Sequence, residues 1–162
     1  MIGNDIVDLE IAKEESNWKR KGFLDKIFTA EEQFLILNSE KPEIMVWNLW
    51  SRKEAAYKIF NRETKIRGYF PLRLVCIYES EGYGEVTIDN RLYFTKTKVT
   101  QDYVYTIAVL KENDLNRIVS LDNETKIYKE TGIPYVIDVI TNCKIPVSIS
   151  HHGRFMKLIR LA

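Results

Sequence analysis

The 162-residue chain is poor in cysteine and histidine and lacks any long apolar run. Its two cysteines, Cys76 and Cys143, lie in largely apolar surroundings without metal-site spacing, which predicts two buried, reduced thiols and no disulfide. Because no apolar run approaches the ~20 residues of a membrane span, we expect no membrane partner. Asp5 and Asp8, within the first ten residues, argue against a signal peptide. These features together predict a cytoplasmic protein.

The sequence also lacks the motifs of several large enzyme classes. It contains no Walker loop, no dinucleotide fingerprint and no zinc-type cluster of cysteine and histidine. No nucleophile elbow indicates a Ser-His-Asp arrangement. The net charge of +1 does not indicate a strongly basic nucleic-acid binder, although it leaves a local basic patch open. We therefore expect no nucleic-acid partner.

The composition is that of a soluble globular protein, with 45% hydrophobic and 29% charged residues. A chain of this length can bury a substantial core within one domain of ordinary size. The sequence shows no internal repeat and no low-complexity segment. We therefore expect a single domain over residues 1–162.

Three helices are predicted in the first part of the chain. Residues 11–21 are charged and are expected to form a helix or helical turn. Thr29 and Glu32 have the spacing of a capping box, which predicts a helix from Thr29 to Leu37. A longer helix is expected from about Glu43 to Asn61.

The pattern changes to β-strands from Tyr69 onward. Residues 72–78 are largely apolar on both faces, as in a well-buried strand. Turns are expected at Gly82–Gly84 and at Asp89-Asn90. The remaining strand candidates are 86–88, 92–98 and 103–110, which form an antiparallel meander, and 135–140, 145–150 and 155–161. Residues 111–131 are polar, and we expect a short helix with loops there.

The first ten residues predict a short strand that contains a costly charge. Gly3 would let the backbone pass close to a neighbour. Asp5 lies among apolar residues, where an ionised carboxylate is unfavourable unless it is paired or bound to a cation. Capping of the next helix by Asp5 and Asp8 is an equally open interpretation.

Two further groups of residues are candidates for chemistry. Glu54 and Lys58 lie four residues apart on the predicted long helix, so both project from one face. They can bind a metal and a phosphate, or form an ordinary surface ion pair worth about 0.3–0.5 kcal/mol. His151 and His152 follow a predicted strand and precede a glycine, which suits contact with a phosphate or a role as hydrogen-bonded loop residues.

Taken in order, these segments resemble the signatures of the 4′-phosphopantetheinyl transferase superfamily, in particular its single-repeat, holo-acyl-carrier-protein synthase type. The most specific segment is the Lys-Glu-Ala-x-x-Lys core. Residues 67–127 match least well. The segments that carry the resemblance are GNDIVD at 3–8, FTAEE at 28–32, WSRKEAAYK at 50–58, GIPY at 132–135 and SISH at 148–151.

The resemblance implies an α+β fold in which an antiparallel β-sheet packs against a long helix. It implies Mg²⁺-dependent transfer of phosphopantetheine from coenzyme A to a serine of an apo acyl or peptidyl carrier protein, with release of adenosine 3′,5′-bisphosphate. Short relatives form trimers, so a homo-oligomer is expected. The acidic carrier protein would dock on basic side chains, for which the candidates are Lys19, Arg20, Lys21 and Lys26.

The resemblance also implies roles for five residues. Asp5 and Glu54 would bind Mg²⁺, which prefers hard oxygen ligands and retains several waters. Lys58 would contact the phosphate and assist the leaving group, and Glu54 or a water on the metal would accept the serine proton. Ser150 and His151 would hold coenzyme A phosphates. Asp8, where relatives carry a nearby acid, would be secondary.

Two positions depart from the family pattern. Asn4 replaces the apolar residue that usually precedes the metal-binding aspartate, which should change packing more than chemistry. Ile133 replaces the lysine of the Gly-Lys-Pro segment, and Lys129 is a candidate substitute. The loss of that lysine keeps an alternative open, in which the chain is a catalytically impaired module that binds coenzyme A or a carrier protein.

Overall fold

The computed structural model describes all 162 residues as four α-helices and ten β-strands. The helices are α1 (Leu9–Glu15), α2 (Phe23–Ile27), α3 (Ala30–Leu37) and α4 (Pro42–Thr64). The strands are β1 (Ile2–Asp8), β2 (Val75–Tyr78), β3 (Tyr83–Ile88), β4 (Arg91–Val99), β5 (Tyr103–Val109), β6 (Ile118–Ser120), β7 (Tyr128–Glu130), β8 (Ile133–Ile137), β9 (Lys144–His152) and β10 (Phe155–Leu161). None of the helices combines the length and apolar character needed to cross a bilayer.

The long helix α4 is the centre of the fold, as predicted. Pro42 starts it, which suits the first helical turn because that turn has no use for the missing N–H. Lys65, with a φ of 62°, ends it in the left-handed region. Gly3 of β1 lies against the helix so closely that an added Cβ would approach the carbonyl oxygen of Ala55 to 2.0 Å, which confirms the expected close passage.

Sheet A packs on α4 and contains five antiparallel strands in the order β1-β5-β4-β3-β2. The largest hydrophobic cluster fills the space between them and includes Leu49, Ile59 and Phe60 of α4. The β3–β4 hairpin turns at Asp89 and Asn90, whose φ values of 47° and 62° are those of a tight two-residue turn. The predicted antiparallel meander and the α+β fold are therefore confirmed.

Sheet B is formed by the last part of the chain, with strand order β6-β10-β9-β8-β7. It does not extend sheet A by strand pairing. Instead, side chains of β9 bond to the free edge of β1: the N–H groups of Asn4 and Ile6 donate to Ser148 Oγ and Ser150 Oγ, both at 3.0 Å. We call this contact between β1 and β9 the seam.

Several helix predictions are corrected in their bounds. The helix expected at 11–21 begins at Leu9 and ends at Glu15, because Asp8 caps its start and Ser16 adopts extended backbone. The capping box at Thr29 is confirmed, with Glu32 accepting from the Thr29 N–H at 2.8 Å. Residues 111–131 hold a 3-10 helix at Glu112–Asn116 and two short strands, β6 and β7.

Other predictions in the β region are wrong in detail. Residues 71–73 form a 3-10 turn that starts at Pro71, so only Val75–Tyr78 is a strand, and it is an edge strand with Ile77 exposed. Gly84 lies within β3 and not in a turn. Cys76 is buried, but Cys143 is exposed in the loop before β9; neither forms a disulfide.

Candidate active site

The functional candidates meet where the seam approaches α4. Asp5 comes from β1, Glu54 and Lys58 from α4, and Ser150 and His151 from β9. A cavity of about 320 Å³ lies here. Its polar lining includes Asp5, Glu54, His151 and His152, and its apolar wall includes Val7, Phe23, Ile27, Trp47, Trp50 and Tyr69.

Asp5 is a largely buried carboxylate with incomplete pairing. Its Oδ1 accepts a hydrogen bond from Ser150 Oγ at 3.0 Å and lies 3.6 Å from Lys58 Nζ. Burial raises the pKa of Asp5 to about 6, while Lys58 and Ser150 act to lower that pKa. No protein group donates a hydrogen bond to Oδ2, so this oxygen is available for another partner.

Glu54 is a second carboxylate of the same cavity. Burial, together with the negative charge of Asp5, raises the pKa of Glu54 to about 7, while the charge of Lys58 acts to lower that pKa. No cationic nitrogen lies within 4.0 Å of its carboxylate; the cation one turn away, Lys58, is instead closest to Asp5. The simple surface ion pair between Glu54 and Lys58 is therefore not formed.

Lys58 bridges the two strands of the seam. Its Nζ donates to the carbonyl oxygens of Asn4 on β1 and Ile149 on β9, at 2.5 and 3.1 Å. Burial lowers the pKa of this ammonium group, whereas Asp5 and Glu54 raise that pKa. Lys58 is thus fixed in position with its charge beside the carboxylate pair.

Ser150 and His151 occupy different environments. Ser150 is only 5% exposed, and its hydroxyl accepts from the Ile6 N–H while it donates to Asp5. These contacts give Ser150 a role in orienting Asp5; its contact with a coenzyme A phosphate stays a prediction. His151 is exposed and lines both the cavity and a neighbouring cleft.

The capping interpretation holds for Asp8 and not for Asp5. Asp8 Oδ1 accepts from the Glu10 and Ile11 N–H groups at 3.1 and 3.4 Å, at the start of α1. Arg154 donates to both Asp8 oxygens from Nε and Nη2, which holds the pKa of Asp8 well below its usual range. Asp8 is therefore a structural anchor for the β9–β10 turn.

The neighbouring cleft, of about 420 Å³, is basic. Its charged residues are Lys58, Arg62 and Lys129, and no carboxylate lines it. Ile133 lies in the same wall, so Lys129 does reach the region from which the family lysine is missing. The cleft suits an anion with several charges, such as a nucleotide phosphate.

The donor set at Asp5 and Glu54 fits Mg²⁺. Both side chains offer hard carboxylate oxygens to the same cavity, and both carboxyl pKa values are raised in the absence of a cation. The chain contains no cluster of three or more His, Cys, Asp and Glu side chains suited to a metal. Two carboxylates are nevertheless sufficient for Mg²⁺, which keeps water and substrate oxygens as its other ligands.

Solved holo-[acyl-carrier-protein] synthases share this fold. The structure from Helicobacter pylori, in complex with coenzyme A, superposes with a TM-score of 0.55 at 15% identity, covering 68% of this chain and all of its own. The structure from Neisseria meningitidis gives 0.53 at 21% identity, covering 68% and 97%. That from Thermotoga maritima gives 0.53 at 17%, covering 82% and 83%. At these identities the likeness defines the fold class.

The chain belongs to the 4′-phosphopantetheinyl transferase superfamily, whose family profile matches residues 1–108, two thirds of its length. A similar curated protein is the holo-[acyl-carrier-protein] synthase of Protochlamydia amoebophila (strain UWE25), 37% identical over 59 residues. That match covers 35% of this chain and 47% of the relative, so the chain spans about half the relative's length. The resemblance inferred from the motifs is thereby confirmed.

Proposed function

We propose that the protein transfers 4′-phosphopantetheine from coenzyme A to a serine of an apo acyl or peptidyl carrier protein, with Mg²⁺ held by Asp5 and Glu54. The observation that carries this proposal is the pair of carboxylates with raised pKa values beside the fixed ammonium of Lys58. Family membership supports the reaction class.

In this reaction the serine hydroxyl oxygen forms a bond to the β-phosphorus of coenzyme A. The bond from that phosphorus to the bridging oxygen breaks, and adenosine 3′,5′-bisphosphate leaves with the electron pair. Bound Mg²⁺ would supply neutralisation of the pyrophosphate charge and a fixed orientation. Lys58, which lines the basic cleft, would stabilise charge on the phosphate and on the leaving group.

Coenzyme A would lie across the two cavities. We place its nucleotide phosphates in the basic cleft, beside Lys129 and His151, because these side chains can bind negatively charged groups. The pantetheine arm would enter the apolar cavity past His151, which borders both spaces. This path leads the scissile phosphate past Lys58 and toward Asp5 and Glu54.

Glu54 has two proposed roles that compete with each other. A carboxyl group with a pKa of about 7 is partly ionised at neutral pH, which suits a general base for the serine proton. A bound cation favours the ionised form and lowers that pKa, so a ligand role weakens Glu54 as a base and leaves the proton to water. The acid limb of the kcat–pH profile distinguishes the two roles.

The carrier protein would dock beside the apolar cavity. Lys19, Arg20, Lys21 and Lys26 are all exposed, between α1 and the end of α2. Phe23 and Ile27 of the same α2 region line the cavity, so a carrier held by these cations would bring its serine near the site. We further propose that residues 1–162 act as one domain, because both sheets contribute to the site, and that the protein forms a homo-oligomer, a trimer by family analogy.

The proposal is tested by incubating the protein with coenzyme A, MgCl₂ and apo carrier proteins of the fatty-acid, polyketide and peptide types. We expect the intact mass of at least one carrier to rise by one phosphopantetheine group, and we expect chelation of Mg²⁺ to prevent this. Coenzyme A binding without transfer to any carrier would instead favour a catalytically impaired binding module.

A further inference from the structure

The seam joins two sheets without pairing their strands. Every second residue of β1 from Asn4 to Asp8 directs its N–H to a β9 side chain: Asn4 to Ser148 Oγ, Ile6 to Ser150 Oγ, and Asp8 to His152 Nδ1, at 3.0, 3.0 and 2.8 Å. These acceptors are alternate residues on one face of β9. No backbone pairing fixes the register between β1 and β9. That register therefore depends on these side-chain hydrogen bonds.

Two cations of α4 complete the seam on its carbonyl side. Arg62 donates from Nη1 to the Ile2 oxygen at 2.9 Å and from Nη2 to the Val147 oxygen at 2.8 Å. Lys58 repeats this bridge one step further along, between the oxygens of Asn4 and Ile149. Four residues of helix rise about 6 Å and two residues of strand about 6.7 Å, so the two bridges keep in step.

Arg62 makes no ion pair to explain its presence. No carboxylate lies within 4.0 Å of its guanidinium group, and burial lowers its pKa. A guanidinium group that is largely removed from water and bonded only to two carbonyls carries a desolvation cost. Its rigid planar fork, however, holds two acceptors at a fixed separation, which a flexible ammonium group does not do.

We propose that Arg62 is a positioning residue for the transfer reaction: by clamping Ile2 of β1 to Val147 of β9, it sets the register that places Lys58 and the Ser150–Asp5 pair. This inference rests on the proposed function of the site. Arg62 acts through the seam and is required for the rate of transfer, not for holding coenzyme A. Lys58 occupies the next bridge, so a slip of β9 displaces its ammonium from Asp5.

The test compares Arg62→Gln and Arg62→Lys with wild type in the carrier-protein mass assay. We expect Arg62→Gln to lower kcat about 10- to 100-fold with KM for coenzyme A within about threefold, since misplacement near 1 Å has such effects. Arg62→Lys should recover part of kcat. Arg117→Gln is the control, because Arg117 also donates to a main-chain oxygen, that of Ala162 next to the end of β10, but lines neither the cavity nor the basic cleft.

Two kinetic outcomes would overturn the proposal. A rise in KM for coenzyme A with unchanged kcat would make Arg62 a substrate-binding residue. A lower Tm with both constants unchanged would make it a purely structural one. Should Arg62→Gln not fold, Arg62→Lys carries the test, and wild-type kcat and KM in that variant would count against positioning.

A second measurement does not depend on activity. Hydrogen exchange of the Asn4, Ile6 and Asp8 amides should accelerate in Arg62→Gln and not in Arg117→Gln, because the first variant loosens the seam. Unchanged exchange would contradict the clamp. If the wild-type protein transfers no phosphopantetheine but the expected faster exchange is seen in Arg62→Gln, the proposed function is wrong. The role of Arg62 in holding the seam is then still supported.

Discussion

Lys53 and Lys58 lie five residues apart on α4, and each donates to two backbone carbonyl oxygens and lies beside a carboxylate. The charges of Lys53 and Glu32 are fully paired with each other. Lys53 Nζ is 2.7 Å from Glu32 Oε2, and both side chains are at most 1% exposed. The other Glu32 oxygen accepts from the Cys76 N–H at 2.7 Å.

The region around Lys58 differs in each of these respects. Its Nζ is 3.6 Å from Asp5, and the two side chains are 27% and 14% exposed. Glu54 adds a second carboxylate that has no cationic nitrogen within 4.0 Å, and the group opens to a cavity. Two lysine–carboxylate pairs on one helix thus separate into a closed structural pair and an open pair beside a further unpaired carboxylate, and we propose that the open pair accepts a cation.

The largest effect is expected from Glu54→Gln, which removes the excess carboxylate and keeps the shape of the side chain. Phosphopantetheine transfer should fall by roughly a thousandfold or more, equivalent to several kcal/mol of barrier, because an essential metal ligand is lost. The rate is measured by carrier mass, and circular dichroism controls for folding. Turnover equal to wild type would remove Glu54 from the site.

Lys53→Met tests the difference between the two lysine–carboxylate pairs more directly, because it leaves Glu32 buried and unpaired. We expect the free energy of unfolding to fall by about 3–5 kcal/mol. Transfer per folded molecule should stay within about threefold of wild type, because Lys53 does not reach the cavity. Denaturant titration measures stability, and the double variant Lys53→Met/Glu32→Gln, which removes the unpaired charge but keeps an acceptor for the Cys76 N–H, should recover part of the loss.

Lys58→Met is the matched substitution on the open side. Because Lys58 is partly exposed, its removal should cost only about 1–3 kcal/mol of stability, the value of the two ordinary hydrogen bonds that it donates. Transfer should fall about 100-fold or more, since a preorganised charge is lost from the reacting phosphate. If both lysine variants were equally destabilised and equally active, the distinction between the two pairs would not hold.

A smaller effect follows from the carboxyl pKa values of about 6 for Asp5 and 7 for Glu54. Both pKa values are raised above those of the unfolded chain. The contribution of these two carboxyl groups to the free energy of unfolding is therefore fully present below about pH 4, and it is lost as the pH rises to about 7. Without divalent cations, Glu54→Gln should therefore exceed wild type in stability at pH 8 by about 1–3 kcal/mol.

The control for that prediction is the same comparison at pH 5, where the difference should nearly vanish. Added MgCl₂ should raise the Tm of wild type more at pH 8 than at pH 5, since only ionised carboxylates bind the cation well. A stability difference that does not change between the two pH values would contradict the raised pKa values.

The smallest effect is expected at the edge of the basic cleft. Lys129→Ala should raise KM for coenzyme A about three- to tenfold with kcat little changed, because an exposed phosphate contact contributes about 1 kcal/mol. Lys126→Ala is a nearby control, since Lys126 lies over Tyr128 and does not line the cleft. An unchanged KM would show that nothing replaces the lysine missing at Ile133.

The sequence predicted the strand and the helix that carry the open region, because their residues carry local signals; the roles of Asp5, Glu54 and Lys58 stay predictions. The alternation around Asp5 and the four-residue spacing of Glu54 and Lys58 each fix a side chain on a known element. The order of the motifs then indicated that they meet. The capping box at Thr29 was equally readable, since its partners are three residues apart.

The seam and the closed pair could not be predicted, because their partners are distant in the chain. Arg62 and Val147 of the seam are 85 positions apart, and Glu32 and Lys53 of the closed pair are 21 positions apart, with no periodic signal to connect them. Ser150 was therefore expected only as a phosphate ligand. Cys143 was misjudged because its apolar neighbours Val139 and Ile140 are themselves 96% and 91% exposed at the tip of a hairpin.

The central claim is that Asp5 and Glu54 form a cation site while Glu32 and Lys53 do not. Titration with Mn²⁺, followed by electron paramagnetic resonance, tests this without relying on turnover. We predict one Mn²⁺ site per chain in wild type and in the Lys53→Met variant, once that variant is confirmed to be folded. Mn²⁺ binding should be at least tenfold weaker in Asp5→Asn and in Glu54→Gln. Wild-type affinity in both carboxamide variants would contradict the account.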